Sequence, residues 1–338
     1  MNLRLSPRTW RGGVVGWLAG AAMVLGACTG SLDAGNDHPH GLLPIDERNP
    51  IVVANDSAFD TWQGEYALLM ASVGSLQVVG FLIGTSSYFP TLATNVDGWN
   101  QLISAARLSG MHNVPDVVQS DGPPLQRPAN GDLEATPPNR SQGAQWIIDA
   151  ANRLATPYRP LVIVTGARLT DIADAYLLDH TLPDRLVVVS SLGFVVDDVG
   201  HMLFPNGELD PWADTIVVQR FRYVQVSAFY DQTQEIPEDR IATLPKNAFG
   251  TWMAQKQSRI ADCLECADQV GVAAVALPDF ATSVDRRFQR GTETSDAGET
   301  PLLDRNPDGH IWLVQQCNAQ VAMTRFSELL QDPAAFGP

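Results

Sequence analysis

The sequence is short of positive charge. Lysine and arginine number 22 against 38 acidic residues, a formal net charge of −16 over 338 residues. A surface of that sign repels phosphate backbones, which argues against general nucleic-acid binding. It suits cation binding, although many soluble proteins are simply acidic. Cysteine is also scarce, at four residues. A single CxxC, "CLEC" with Cys263 and Cys266, has no second CxxC and no histidine near it in sequence, which weighs against a zinc module and for a structural disulfide. Redox chemistry stays open for that pair, and Cys317 is a third thiol whose pairing the sequence does not specify. The histidines His38, His40, His112, His180, His201 and His310 have no metal-ligand spacing, and no internal repeat is visible. What is plentiful is apolar residue, 45% of the chain. That is enough for a sizeable core in one large domain or two small ones.

The first thirteen residues, "MNLRLSPRTWRGG", hold three arginines and no acid. "VVGWLAGAAMVLGA" follows, an apolar run too short to span a bilayer comfortably, and then Cys28. "LGAC" (Leu25 to Cys28) resembles the bacterial lipobox. The resemblance implies cleavage before Cys28, lipid on its sulfur and attachment to a membrane of the cell envelope. Thr29 in the next position resembles the pattern sent to the outer membrane of a two-membrane bacterium. The sequence thus divides into a signal peptide (1–27), a flexible Gly-, Pro- and Asp-rich tether (28–50) and a folded domain (51–338).

Within the domain, short apolar runs alternate with helical patterns. "IVVA", "LQVVGFLIG", "PDVVQS", "LVIVTG" and "RLVVVSSLG" read as strands. "GEYALLMASV", "NVDGWNQLISAARLSG", "AQWIIDAANRLA" and "LTDIADAYLLD" read as helices, the first amphipathic and the second closed by Gly110. This predicts an α/β fold with a mostly parallel central sheet covered by helices on both faces. Ligands of such sheets bind beyond the carboxyl ends of the strands, where Asp56, Thr85–Ser87, Thr165–Gly166 and Ser190–Gly193 fall. A long loop, "DGPPLQRPANGDLEATPPNRSQG", reads as mobile and as a cover for the site. After Asn206 the pattern is less regular, with helices in "PWADTIVVQRF", "GTWMAQKQSRIADCLEC" and "QVAMTRFSELL".

Asp56 and Asp60 stand where the first strand turns into the first helix. Asp60 fits a helix N-cap, supported by Gln63. Asp56, at the tip of a buried strand, needs a cation or donors to offset desolvation. Two such oxygen donors suit a hard cation such as Ca²⁺.

The span Asp56-Ser57-Ala58-Phe59-Asp60-Thr61-Trp62 resembles the Asp-Pro-Gly-x-Asp-Asp-Ala opening of the nucleoside hydrolases, the inosine–uridine-preferring N-ribohydrolases. "LQVVGFLIGTSS", "VTGARLTDIADAYLLDHTLPDRLVVVSSLG", "FPNGELDPWAD" and "ADQVGVAAVALP" resemble later motifs of that family, in the same order. The resemblance implies a hydrolase of the N-glycosidic bond of a ribonucleoside or related ribosyl compound. It implies Asp56 as base and Ca²⁺ ligand, the Thr170 carbonyl and Asp268 as further metal ligands, and Asp60 and Asn206 on the sugar. Asp279 is a second candidate for the last acid.

Several family positions differ. The second adjacent aspartate is Thr61, which predicts weaker calcium binding. The asparagine after the second strand is Ser86 or Ser87, with Ser87 assigned to the substrate. Asp198 aligns near another asparagine. The sugar-binding glutamate falls on Phe204 and the leaving-group histidine on Ala267. Trp212 is the tryptophan assigned to stack on a base or sugar. These departures leave a rival reading, a binding or structural lipoprotein that keeps the fold without catalysis. The expected partners are a small nucleoside or ribosyl substrate and a membrane through Cys28; an assembly of identical copies stays open.

Overall fold

The computed structural model describes residues 39–156, 158–190, 210–226, 244–260, 268–294 and 301–337. Among the described residues a nine-stranded sheet runs in the order β3-β2-β1-β4-β5-β6-β9-β7-β8. The first six strands are β1 (Pro50–Asn55), β2 (Gln77–Ile83), β3 (Val117–Gln119), β4 (Leu161–Thr165), β5 (Leu186–Ser190) and β6 (Arg222–Gln225). The others are β7 (Ala281–Thr294), β8 (Pro301–Arg305) and β9 (Ile311–Cys317). Every pairing from β3 across to β9 is parallel, and β7 joins β9 and β8 antiparallel.

The helices are α1 (Gln63–Ser72), α2 (Leu92–Leu108), α3 (Gln142–Leu154), α4 (Thr170–Leu178), α5 (Pro211–Arg220), α6 (Ala248–Ile260), α7 (Gln269–Ala276) and α8 (Ala319–Gln331). They divide between two apolar cores. Side chains of α1, α2, α6, α7 and α8 pack with Ile51, Val53, Val162 and Val164 on one face. Those of α3, α4 and α5 pack with Val52, Ala54, Leu161 and Ile163 on the other. Alternate residues of β1 and β4 thus enter opposite cores, which is why these strands read as unbroken apolar runs. The expected mostly parallel sheet with two helical layers is the one observed. No helix among the described residues is long and apolar enough to cross a membrane.

Four features differ from expectation. All ten residues of α1 are buried, so it is not amphipathic; α2, α7 and α8 pack around it. Residues 39–50 are not a free tether throughout, because Leu43 and Ile45 are buried in the first core and Asn49 Nδ2 donates to the Pro160 carbonyl at 2.8 Å. The chain beyond Asn206 supplies four strands, β6 to β9, that its pattern did not announce. The Pro-rich loop is fastened along its length: backbone N–H groups of Gly122, Leu125, Asn139, Arg140 and Ser141 donate to carboxylates of α4 and to Asp210. Gly110 does close α2, at φ +74°, a left-handed conformation that glycine adopts without a Cβ clash.

Candidate active site

The strand order 3-2-1-4-5-6 runs outward in both directions from the β1–β4 pair. The chain leaves β1 toward one edge and leaves β4 toward the other, opening a crevice above their carboxyl ends. Asp56 follows the last residue of β1, and Gly166 follows the last residue of β4. Asp268, immediately before α7, lies over this crevice: a Cβ placed on Gly166 would come within 2.1 Å of Asp268 Oδ2. Glycine at 166 therefore makes the room that the Asp268 carboxylate fills.

Asp56 and Asp268, 212 positions apart in the chain, are both fully buried and close enough for the charge of Asp268 to act on Asp56. Burial raises the Asp56 carboxyl most. The Ser86 hydroxyl hydrogen-bonds it and lowers it, the Asp268 charge raises it, and the Ser57 N–H lowers it; the balance is a group pushed up to about 7. A divalent cation between two such acids would reverse both upward pushes.

Side chains of β1 and α1 orient the pair. Asn55 Nδ2 donates to Asp268 Oδ2 at 2.9 Å and to Gln63 Oε1 at 2.7 Å, while Asn55 Oδ1 accepts from the Asp56 N–H at 2.7 Å. Gln63 Nε2 donates to the Asp268 carbonyl at 3.3 Å. Trp99 Nε1 donates to the Asp56 carbonyl at 3.2 Å. Thr61 lies at the site, its hydroxyl donating to Asp268 Oδ2 at 3.4 Å. The Ser86 hydroxyl also accepts from the Phe89 N–H at 3.1 Å, and Asn95 Nδ2 holds this turn through the Gly84 and Phe89 carbonyls at 2.9 Å each.

The sequence candidates take several places. Asp60 is half-buried on the turn before α1, its N–H donating to the Ser57 carbonyl at 3.2 Å. It is not the N-cap of α1: the helix begins at Gln63, Trp62 stands at the cap, and Gln63 turns into the acid site instead. Ser86 is the serine that reaches Asp56, whereas Ser87 is exposed beside it. Thr170 opens α4, and its hydroxyl donates to Asp210 Oδ2 at 2.8 Å. Asp279 is exposed, so of the two late acids Asp268 is the one at the crevice. Trp212 is buried against the Pro-rich loop. Its ring lies under the Arg127 guanidinium at 4.9 Å, and its Nε1 donates to Thr136 Oγ1 at 2.9 Å, which ties down the Pro-rich loop. Cys317 carries a free thiol, which burial pushes up to about 11. Cys28, Asp198, His201, Phe204, Asn206, Cys263, Cys266 and Ala267 lie outside the described residues.

Sequence reasoning missed Asn55 and the site role of Gln63. A signal existed for the first: an asparagine closing the apolar run "PIVVAN" is a buried polar group that needs partners.

The donor set fits a hard cation, with reduced charge. Asp56 and Asp268 offer carboxylate oxygens, and Thr61 and Ser86 add neutral hydroxyls. The Asn55 amide, however, already occupies part of Asp268 Oδ2, and Thr61 supplies no charge.

No protein-family model matches the sequence, and no curated protein matches it. Solved structures do resemble it. An inosine–uridine-preferring nucleoside hydrolase from Bacillus anthracis superposes with a TM-score of 0.60 at 14% identity, covering 84% of this chain and 99% of its own. A plant nucleoside hydrolase gives 0.59 at 14% identity, with 86% and 99% covered. A purine-preferring ribonucleoside hydrolase from Gardnerella vaginalis gives 0.54 at 14% identity, with 84% and 99% covered. The chain therefore has the nucleoside hydrolase fold, with Asp56 and Asp268 together at the point where its strand order reverses.

Proposed function

We propose that this protein hydrolyses the N-glycosidic bond of a ribonucleoside or a related ribosyl compound. The observation that carries this reading is the meeting of Asp56 and Asp268 in the crevice between β1 and β4. Asp56 would hold the attacking water and take its proton, the general-base role that a carboxylate at the floor of a crevice can fill. Asn55 and the Ser86 hydroxyl fix the Asp56 backbone and carboxylate, so the base is oriented before substrate arrives. Asp60, half-buried on the same turn, would accept hydrogen bonds from ribose hydroxyls. Asp56, Asp268 and Thr61 would hold calcium, which when bound polarises and orients the water. Two charges in place of three predict weaker calcium binding than a site with an acid at Thr61.

The test is ribose release from a panel of nucleosides, with and without calcium. The parent should turn over at least one of them. Asp56→Asn should lose a factor of about 10²–10⁴ while melting no lower. Absence of release from every nucleoside, with calcium supplied, would overturn the hydrolase reading. A second reading would then stand: a protein that binds nucleosides or related ribosyl compounds without cleaving them. Its support is that Asn55, Thr61 and Gln63 already satisfy much of Asp268 from within the protein. A nucleoside that raises Tm without being cleaved would identify it.

Export and lipid attachment at Cys28 belong to the same proposal. Cys28→Ser should move the protein from the membrane to the soluble fraction of the envelope.

A further inference from the structure

Lys256 is one of two lysines in the sequence, and it is fully buried. Its Nζ donates to both carboxylate oxygens of Glu65, at 2.9 Å each, and to the backbone carbonyl of Thr61. Those three acceptors match the three donors of an ammonium group. Glu65 Oε1 also accepts from Trp252 Nε1 at 2.8 Å, and Lys256 Nζ lies 4.7 Å from the centre of the Trp62 ring. The Trp252 ring in turn packs on Phe59, centroids 4.8 Å apart. Trp252 and Lys256 stand four residues apart on α6, so one face of that helix grips Phe59, Thr61, Trp62 and Glu65.

A pair of charges buried this completely is a poor stabiliser. Desolvation of both ions offsets much of their attraction, and apolar residues of the same volume often serve as well. What the pair supplies is direction. Among the described residues its one backbone hydrogen bond is to the carbonyl of Thr61, the residue whose hydroxyl faces Asp268 at 3.4 Å. In sequence Asp268 follows eight residues after Ile260, the last residue of α6.

We infer that Lys256 and Glu65 are positioning residues: they hold the turn from Ser57 to Trp62 so that Thr61, Asp56 and Asp268 face one another across the crevice. The inference rests on the proposed reading of that crevice as a cation-dependent site. Neither residue touches substrate. Their contribution is to remove freedom from the turn that carries Asp60 and Thr61.

The variant that tests this is the double substitution Lys256→Met with Glu65→Gln. It removes both charges together, keeps the length of the Glu65 side chain, shortens that of Lys256 by one atom, and leaves a carbonyl acceptor for Trp252 Nε1. Either substitution alone leaves a buried charge without its partner and risks loss of folding. Two measurements are made on the full chain. Terbium, an oxygen-seeking substitute for calcium, is titrated by its luminescence, with Trp99 beside Asp56 as the antenna. Amide hydrogen exchange is followed in metal-free protein. The double variant should fold, bind terbium about 10–100-fold more weakly, and exchange faster across Ser57–Trp62 than the parent while α2 keeps its protection.

Terbium affinity within about two-fold of the parent, in a folded double variant, overturns the inference, since loss of an orienting partner around a metal site costs at least ten-fold. Unchanged exchange across Ser57–Trp62 overturns it as well. A parent that binds no terbium, or an Asp56→Asn variant that binds it equally, removes the cation site from the proposed function. In that case the exchange measurement alone decides whether the ion pair orders the turn.

Discussion

Two groups of buried carboxylates stand in different surroundings. Around α4 and α5, Asp171, Asp174 and Asp210 are engaged by main-chain donors. Asp174 accepts from the N–H groups of Asn139, Arg140 and Ser141, Asp171 from Gly122, and Asp210 from Leu125 and from Ala213 at the start of α5. At the β1–β4 crevice, Asp56 and Asp268 are met mainly by the side chains of Ser86, Asn55 and Thr61, with the Ser57 N–H on Asp56, and by each other's charge. The first arrangement uses carboxylates as caps that pin a Pro-rich loop otherwise short of regular hydrogen bonds. The second leaves two like charges facing each other in a low-dielectric crevice, which is unfavourable for a fold and useful for chemistry. Burial alone does not separate the groups, since it also raises the carboxyls of Asp171 and Asp210. Their place does: Asp56 and Asp268 meet at the carboxyl ends of β1 and β4, while Asp171, Asp174 and Asp210 fasten the Pro-rich loop.

Paired glycine substitutions sharpen this contrast. Gly166→Ala and Gly143→Ala each place a methyl group about 2.1 Å from a carboxylate oxygen, of Asp268 in the first case and Asp171 in the second. Gly166→Ala should lower ribose release by about 10²-fold through displacement of Asp268. Gly143→Ala should cost about 1–3 kcal/mol of stability by overpacking and leave turnover per folded molecule unchanged. Equal losses of turnover in both would dissolve the distinction between the groups. Activity of each variant, measured beside its denaturation midpoint, decides it.

The next largest effect falls in the structural group. Asp210→Ala removes the N-cap of α5, the acceptor of the Leu125 N–H and the partner of the Thr170 hydroxyl. The expected loss is about 2–4 kcal/mol in urea unfolding, with the Pro-rich loop becoming sensitive to protease. A loop that stays resistant would mean that Asp171 and Asp174 suffice to hold it.

The smallest effect lies at the opposite end of the sheet. Burial raises the Asp46 carboxyl, but hydrogen bonds and charge from Arg48, with the backbone N–H groups of Arg48 and His40, bring it below the ordinary range. A depressed carboxyl contributes stability in full above its unfolded value of about 3.9, and that contribution is lost as pH falls through the folded value. Asp46→Asn should therefore cost about 1 kcal/mol or less at neutral pH, and the difference from the parent should shrink as pH falls through the folded value. A penalty independent of pH would assign the role of Asp46 to shape instead of charge.

Much of this fold was legible because its signals are local. The runs "IVVA" and "LVIVTG" are apolar at every position, as a strand buried on both faces must be, and "AQWIIDAANRLA" repeats its apolar residues at helical spacing. The strands β7 to β9 were not legible, because "SVDRRFQRGTET" is too polar to announce burial and pairs through its antiparallel partners. Asp60 satisfied every local requirement of an N-cap, yet the helix starts three residues later, where Gln63 reaches Asn55 and Asp268. Trp212 sat beside a motif and turned out to serve a loop, because the ring follows packing and not sequence neighbourhood.

By itself the sequence determined the order of strands and helices from β1 to β5, the shortage of positive charge and the acid at the end of β1, since each depends on residues within a few positions of one another. Only the tertiary structure decided which late acid meets Asp56, which serine touches it, and that a buried lysine from α6 holds Thr61. The acid and lysine contacts span roughly 200 positions of chain, and the serine contact spans 30. They exist because a parallel sheet brings the carboxyl ends of β1 and β4 side by side, a proximity that no local pattern encodes.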